Sequence, residues 1–184
     1  VLASPVHVTS LAGKCGVLCF VYSVLLTRTL PVVCGDIDCF SPTDTTLVAR
    51  FGHCSQELVN LMLTGCATTN VFDGVKVLGD QNDPTSLRLK GVGVDGRAVP
   101  CGFLTLLESL RYTNVGNTYK VPSLPIWVVG SASHYTTLFA LSKAVNVVPA
   151  AERRQAGYKR AFAVHDPEDQ GFVPTASLPA VLAL

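Results

Sequence analysis

The chain has 184 residues, 48% hydrophobic and 15% charged, with a net charge of +1, which suits one globular domain with a sizeable core and excludes a disordered or acidic tail. It has no run of Lys and Arg, so neither nucleic acid nor an anionic membrane is expected as a partner. Seven cysteines, at 15, 19, 34, 39, 54, 66 and 101, form an odd set without a C-x-x-C pair, most of them in apolar segments. That favours free buried thiols in a reducing compartment, the cytoplasm or nucleus, over a disulfide scaffold.

The chain begins at Val1 without the charged start and small-residue cleavage site of a signal peptide, and it reads as a piece of a longer protein. Lys14 to Arg28 (KCGVLCFVYSVLLTR) is apolar on nearly all sides, which predicts a central helix packed all round. Its uncharged run, Val17 to Leu26, falls short of the roughly 20 residues that span a bilayer. Leu30 to Asp44 mixes Pro, Cys, Asp, Ser and Thr and reads as an irregular connection. Cys34 and Cys39 flank Asp36 and Asp38, but the spacing matches no zinc pattern and no second ligand cluster follows, so no metal is expected there.

Ser55 to Thr64 (SQELVNLMLT) has an N-cap in Ser55, acid in its first turn at Glu57, helical apolar spacing, and Gly65 as terminator. Asn70 to Gly74 is a turn, Val75 to Gly79 a brief strand, and Ser86 to Lys90 an alternating strand. Gly91 to Gly96 (GVGVDG) has the form of a dinucleotide-binding turn. Arg97 to Pro100 intervene before any helix, however, and Pro100 forbids a continuous one, so a flexible connection is expected and no cofactor. Gly102 to Tyr112 (GFLTLLESLRY) returns to helical periodicity.

Pro125 to Leu141 (PIWVVGSASHYTTLFAL) reads as a hairpin. Branched and aromatic residues from Ile126 to Val129 suit a packed strand, Gly130 to Ser133 give turn chemistry, and Tyr135 to Leu141 return with strand formers. The hairpin is expected in an antiparallel sheet packed on helices, against the Lys14 to Arg28 helix, with Val128 and Phe139 inside. His134 then stands at a strand start on a rigid pair, a mount suited to a general base. The alternative is an ordinary strand-end histidine satisfied by a neighbour.

Ala151 to Val164 carries Arg153, Arg154, Lys159 and Arg160 and reads as a helix. In the stretch after it, Asp166, Glu168, Gln170 and Gly171 occupy positions one, three, five and six of an EF-hand loop. Position nine is Pro174 and position twelve Ser177, so the bidentate carboxylate that completes calcium's oxygen shell is missing. A helix-loop-helix without useful calcium affinity is expected over 151–184.

Taken together, Phe51 to Gly74, Gly102 to Tyr112, the W-V-V-G-S-x-S-H core of Pro125 to Leu141 and the segment D-P-E-D-x-G-F resemble the MINDY deubiquitinases, and in particular a member with an EF-hand-like segment. The likeness runs over nearly the whole chain, in the family's order. It implies an α+β, papain-like cysteine peptidase fold, here partial, over 1–150, and cleavage of isopeptide bonds in polyubiquitin. It also implies that His134 is the catalytic base.

The nucleophile that such a base requires is not evident. The resemblance places it in a Gly-Pro-Cys segment at a helix start, with a glutamine upstream, and no such segment surrounds Cys15, whose following stretch looks like a later helix of the family. Ala132 stands where relatives tend to carry an acidic residue. Cys101, after Pro100 and ahead of the expected Gly102 to Tyr112 helix, is a substitute on chemical grounds, because backbone amides at a helix start favour a thiolate. Two functions follow from different classes: the histidine-bearing portion of a thiol-dependent deubiquitinase, itself inactive, or a non-catalytic ubiquitin-binding or scaffold module.

Overall fold

The computed structural model describes residues 9, 11–38, 46–48, 50–80, 83–94, 96, 98–131, 134–166 and 170–183. They divide into two units, Val1–Thr69 and Asn70–Leu184.

In the first unit, helix α1 (Gly16–Arg28) gives way to helix α2 (Leu30–Asp36) at Thr29, where φ is 70° and the axis turns by 92°. Pro31 forces this break. In a continuous helix it would have no N–H for the carbonyl of Thr27, and its ring would collide there, whereas in the first turn of a new helix neither matters. Residues expected to be an irregular connection thus begin with seven helical residues; the connection's residues 39–44 lie outside the described residues. Arg28 closes the corner by pairing with the Asp36 carboxylate at 2.7 Å, and the same oxygen accepts the N–H of Ala67 at 3.0 Å.

Helix α3 (Gln56–Thr64) forms as its sequence dictates: the Ser55 hydroxyl accepts the N–H of Leu58 at 3.2 Å, and Gly65 ends the helix in the left-handed region at φ 80°. Leu58 and Leu61 on α3 meet Val33, Ile37 and Ala67 in a buried cluster, on which Val21, Val24 and Leu25 of α1 pack. That contact uses one flank of α1 only. Contrary to the all-round packing expected, Val17, Tyr22 and Leu26 are 75%, 56% and 78% exposed. An apolar stripe is buried only where another element lies against it, and α2 and α3 reach one side. No single helix among the described residues is long and apolar enough to cross a membrane; the bent pair α1 and α2 meets that test by length and composition only.

The second unit carries two small sheets. Strands β1 (Val75–Leu78) and β2 (Leu87–Lys90) pair antiparallel, with Val75 opposite Lys90. Strands β3 (Gly102–Thr105), β4 (Ile126–Gly130) and β5 (Tyr135–Phe139) form the second, in that order. The hairpin β4–β5 is antiparallel as expected, with Gly130 opposite Tyr135, but β3 runs parallel to β4, so the sheet is mixed. The connection from β3 to β4 holds two short helices, α4 (Leu106–Ser109) and α5 (Asn117–Lys120). Beyond the sheet, helices α6 (Ala150–His165) and α7 (Leu178–Leu182) pack on each other.

The mixed sheet corrects the helix expected over Gly102 to Tyr112, of which only the single turn α4 is helical. A non-local pairing overrides the local period here. Phe103 is buried at 3% exposure and its ring meets Tyr119 at 5.8 Å. At Gly102 a Cβ would collide with the carbonyl oxygen of Tyr119 and with Cδ1 of Trp127, so only glycine lets the backbone come this close. Along β4, Trp127 is buried and Val128 half-buried, whereas β5 is exposed throughout, with Phe139 at 64%. The expectation that Phe139 lies inside is therefore wrong: β5 is flanked by β4 alone among the described strands.

Leu61 is 1% exposed at the centre of the first unit's core. Leu61→Ala is expected to lower the unfolding free energy by about 2–5 kcal/mol, the usual cost of deleting a buried leucine, and chemical denaturation followed by circular dichroism measures it. A loss within experimental error would show that this cluster does not hold the unit together.

Candidate functional site

Strand β4 delivers the chain to Gly130 and β5 takes it away from Tyr135, so His134 stands at the mouth of the turn between them. Ser131 fixes the backbone of His134 twice over: its N–H donates to the His134 carbonyl at 2.8 Å and its hydroxyl to the same oxygen at 3.0 Å. Ala132 and Ser133, between them, lie outside the described residues. The histidine is exposed and, among the described residues, its imidazole makes no hydrogen bond.

Behind the turn, β4 is braced through its one tryptophan. The Trp127 indole N–H donates to the carbonyl of Lys120 at 3.1 Å, tying the strand to the end of α5. The start of α5 is held by Asp73, whose carboxylate accepts the N–H groups of Asn117 at 2.7 Å and Thr118 at 3.0 Å. Glu108 closes the connection by accepting from the Val115 N–H and the Lys120 ammonium, each at 2.8 Å. Sequence reading placed Asp73 in a turn and Glu108 on a helix and gave neither a partner. A carboxylate that caps backbone amides 44 residues away leaves no local signal.

Cys101 loses its chemical argument for a catalytic role. It precedes a strand rather than a helix, so no helix-start amides act on its thiol. The parallel register sets Gly102 opposite Trp127 and Thr105 opposite Gly130, so Cys101 lies beyond the Trp127 end of β4 and His134 beyond the Gly130 end. The three steps from Trp127 to Gly130 alone span about 10 Å, against the roughly 3 Å a proton transfer needs.

The other thiols are less buried than expected. No described cysteine is in a disulfide; Cys15, Cys19 and Cys34 are exposed, and Cys54, Cys66 and Cys101 are half-buried. Burial pushes the Cys54 thiol above its usual range, the opposite of what a nucleophile needs. Asp36 is committed to Arg28 and Ala67, and Cys39 lies outside the described residues. Among the described residues no cluster of three His, Cys, Asp or Glu side chains is placed to hold a metal.

The G-x-G-x-x-G stretch opens no helix, since the next element is β3. It serves as a brace: Gly91 donates to Gly74, Val92 to Phe72 and Gly74 back to Val92, at 2.7–2.9 Å. At the C-terminal loop, α6 is followed by a helical turn at Thr175–Ser177 and by α7. Asp166 is 9% exposed, and its two carboxylate oxygens accept the N–H groups of Gln170 at 2.8 Å and Gly171 at 2.7 Å. Glu168 lies outside the described residues.

Comparison with known proteins bears on the whole chain. The family model described as deubiquitinating enzyme MINDY-3/4, conserved domain, matches residues 1–156. The chain is 42% identical over 170 residues to ubiquitin carboxyl-terminal hydrolase MINDY-3 of Homo sapiens, covering 92% of this chain and 35% of that protein. To the MINDY-3 homolog of Drosophila melanogaster it is 39% identical over 173 residues, 94% of this chain and 28% of that one. To a probable ubiquitin carboxyl-terminal hydrolase, MINDY-4 of Mus musculus, it is 42% identical over 130 residues, 71% and 16% of the two chains. The chain thus spans about a third of the length of the vertebrate MINDY-3 relatives it matches. No solved structure matches it.

Two outcomes follow. At about pH 8, Cys54 should be alkylated by iodoacetamide more slowly than Cys15, Cys19 and Cys34, because its raised pKa leaves less thiolate; peptide mass spectrometry after timed quenching reads the rates, and equal rates would contradict the burial argument. Calorimetry should show no sub-micromolar calcium binding, since Ser177 cannot supply the bidentate carboxylate of the twelfth position. A sub-micromolar isotherm lost in Asp166→Ala would reverse that reading of the loop.

Proposed function

The chain belongs to the MINDY-3/4 family of deubiquitinating enzymes, and from that membership we propose that it is the histidine-bearing portion of a cysteine-type deubiquitinase that hydrolyses isopeptide bonds in polyubiquitin. The observation that carries the proposal is His134, exposed and backbone-clamped on a braced hairpin, within the residues that the family model matches.

The chemistry asks for an imidazole in this situation. It accepts the proton of a cysteine thiol, the thiolate attacks the isopeptide carbonyl, and the imidazolium returns the proton to the leaving lysine amine; water then releases the thioester. Cys101, the cysteine that shares a unit with His134, lies at the wrong end of β4. Because the sequence also holds no Gly-Pro-Cys segment of the kind the family resemblance calls for, we assign the nucleophile to residues outside these 184, and the chain by itself to an inactive piece of a papain-like catalytic domain. Residues 151–184 we assign to a degenerate EF-hand-like segment, and the protein to the cytoplasm or nucleus on the strength of an odd cysteine set without a C-x-x-C pair.

That Cys101 is out of reach also favours a second reading, in which the chain is a ubiquitin-binding or scaffold module without catalysis. The two separate in one experiment. The isolated chain should leave polyubiquitin intact and should not label with a ubiquitin probe bearing a cysteine-reactive end. A full-length form should cleave, and His134→Ala in it should lower cleavage by about 10²-fold or more. Full activity of His134→Ala would sink the assignment of the histidine. A full-length form that binds polyubiquitin tightly and never cleaves it would favour the module, and cleavage by the isolated chain that vanishes in Cys101→Ala would restore Cys101.

A further inference from the structure

The hydroxyl of Ser131 has no role in the reading above, yet it is aimed at the one residue on which that reading rests. The connection from Gly130 to Tyr135 is closed by the backbone, through the 2.8 Å bond from the Ser131 N–H to the His134 carbonyl. The second bond, from the hydroxyl at 3.0 Å, falls on the same carbonyl oxygen. Two donors converging on one acceptor restrict rotation of the His134 peptide plane more than one can, and the direction of the Cα–Cβ bond follows that plane. Among the described residues the imidazole has no hydrogen bond of its own, and the residue is exposed. Strand β5, which follows, is also exposed along its length and supplies no packing from that side. On the other side, Gly130 is buried against the rings of Tyr135 and Phe103, so the anchor from which Ser131 acts is fixed.

We propose that Ser131 is a positioning residue for His134: its hydroxyl sets the backbone from which the imidazole meets the thiol. This rests on His134 being the catalytic base. The expected signature is a loss in turnover without a loss in substrate binding, because Ser131 acts on the geometry of the reacting pair rather than on polyubiquitin. Threonine keeps the hydroxyl on the same carbon and should keep the bond.

The test uses a full-length form carrying this chain, assayed on polyubiquitin, with Ser131→Ala, Ser131→Thr and His134→Ala prepared side by side and their thermal unfolding recorded. Ser131→Ala should lower kcat about tenfold with KM and Tm essentially unchanged, and Ser131→Thr should recover most of that loss. Unchanged kcat in Ser131→Ala, alongside an inactive His134→Ala, would overturn the positioning role and leave the histidine assignment standing. So would a loss in Ser131→Ala that comes with a lowered Tm and is not recovered by threonine. Full activity in His134→Ala would overturn the assignment itself and this inference with it.

Discussion

Everything placed at the hairpin depends on how Trp127 is held. One face of its ring occupies the space that a side chain at residue 102 would need, and its indole N–H is spent on the Lys120 carbonyl. The first contact fixes β3 beside β4 in parallel register, and the second ties β4 to the connection that makes a parallel return possible. A buried tryptophan with an unpartnered N–H would cost a free energy of about 1–3 kcal/mol, so packing and hydrogen bond select the same position. The strand that carries the histidine turn is therefore located from behind, by groups that never approach the turn.

Carboxylates do much of the remaining fixing, and they do it on backbone amides. Asp73 holds the start of α5, Glu108 the approach to it, Asp166 the C-terminal loop and, in the other unit, Asp36 the N–H of Ala67. The helices and strands here are short, and short elements leave a high proportion of their backbone donors without a partner inside the element. An ionised oxygen is the strongest acceptor available to them. This explains why acidic residues that a sequence reader would weigh for metal or acid–base chemistry are mostly structural.

What could be read from the sequence was what is decided locally. Ser55, the periodic LVNLML run and Gly65 define one helix without help from elsewhere, and the branched run, small turn and second branched run of Pro125 to Leu141 define a hairpin. The misreadings fall where a distant partner decides. GFLT was read as helix because LLESL continues its period, and β4 overrides that. Leu30–Asp36 was read as irregular for its proline, although proline in a first turn starts a helix as readily as it ends one. The packing of α1 was overestimated because composition says how much apolar surface a helix has and not how many neighbours it meets. At the site, the hairpin that carries His134 was legible from the motif around it, while the helix start ahead of which Cys101 was placed is a strand, for the same reason as the GFLT misreading.

The mixed sheet also sets an order of assembly. The β4–β5 hairpin joins neighbours across the four residues 131–134, a closure of microseconds. The parallel partner β3 must instead be brought back from Gly102 to Trp127, and Asp73 must find amides 44 residues further on. Loop-closure entropy makes such distant pairings late. The turn bearing His134 thus forms as a loose hairpin before its brace exists, and its two strands, with Leu138 and Phe139 outermost, are at that stage an unpaired edge open to association with another chain.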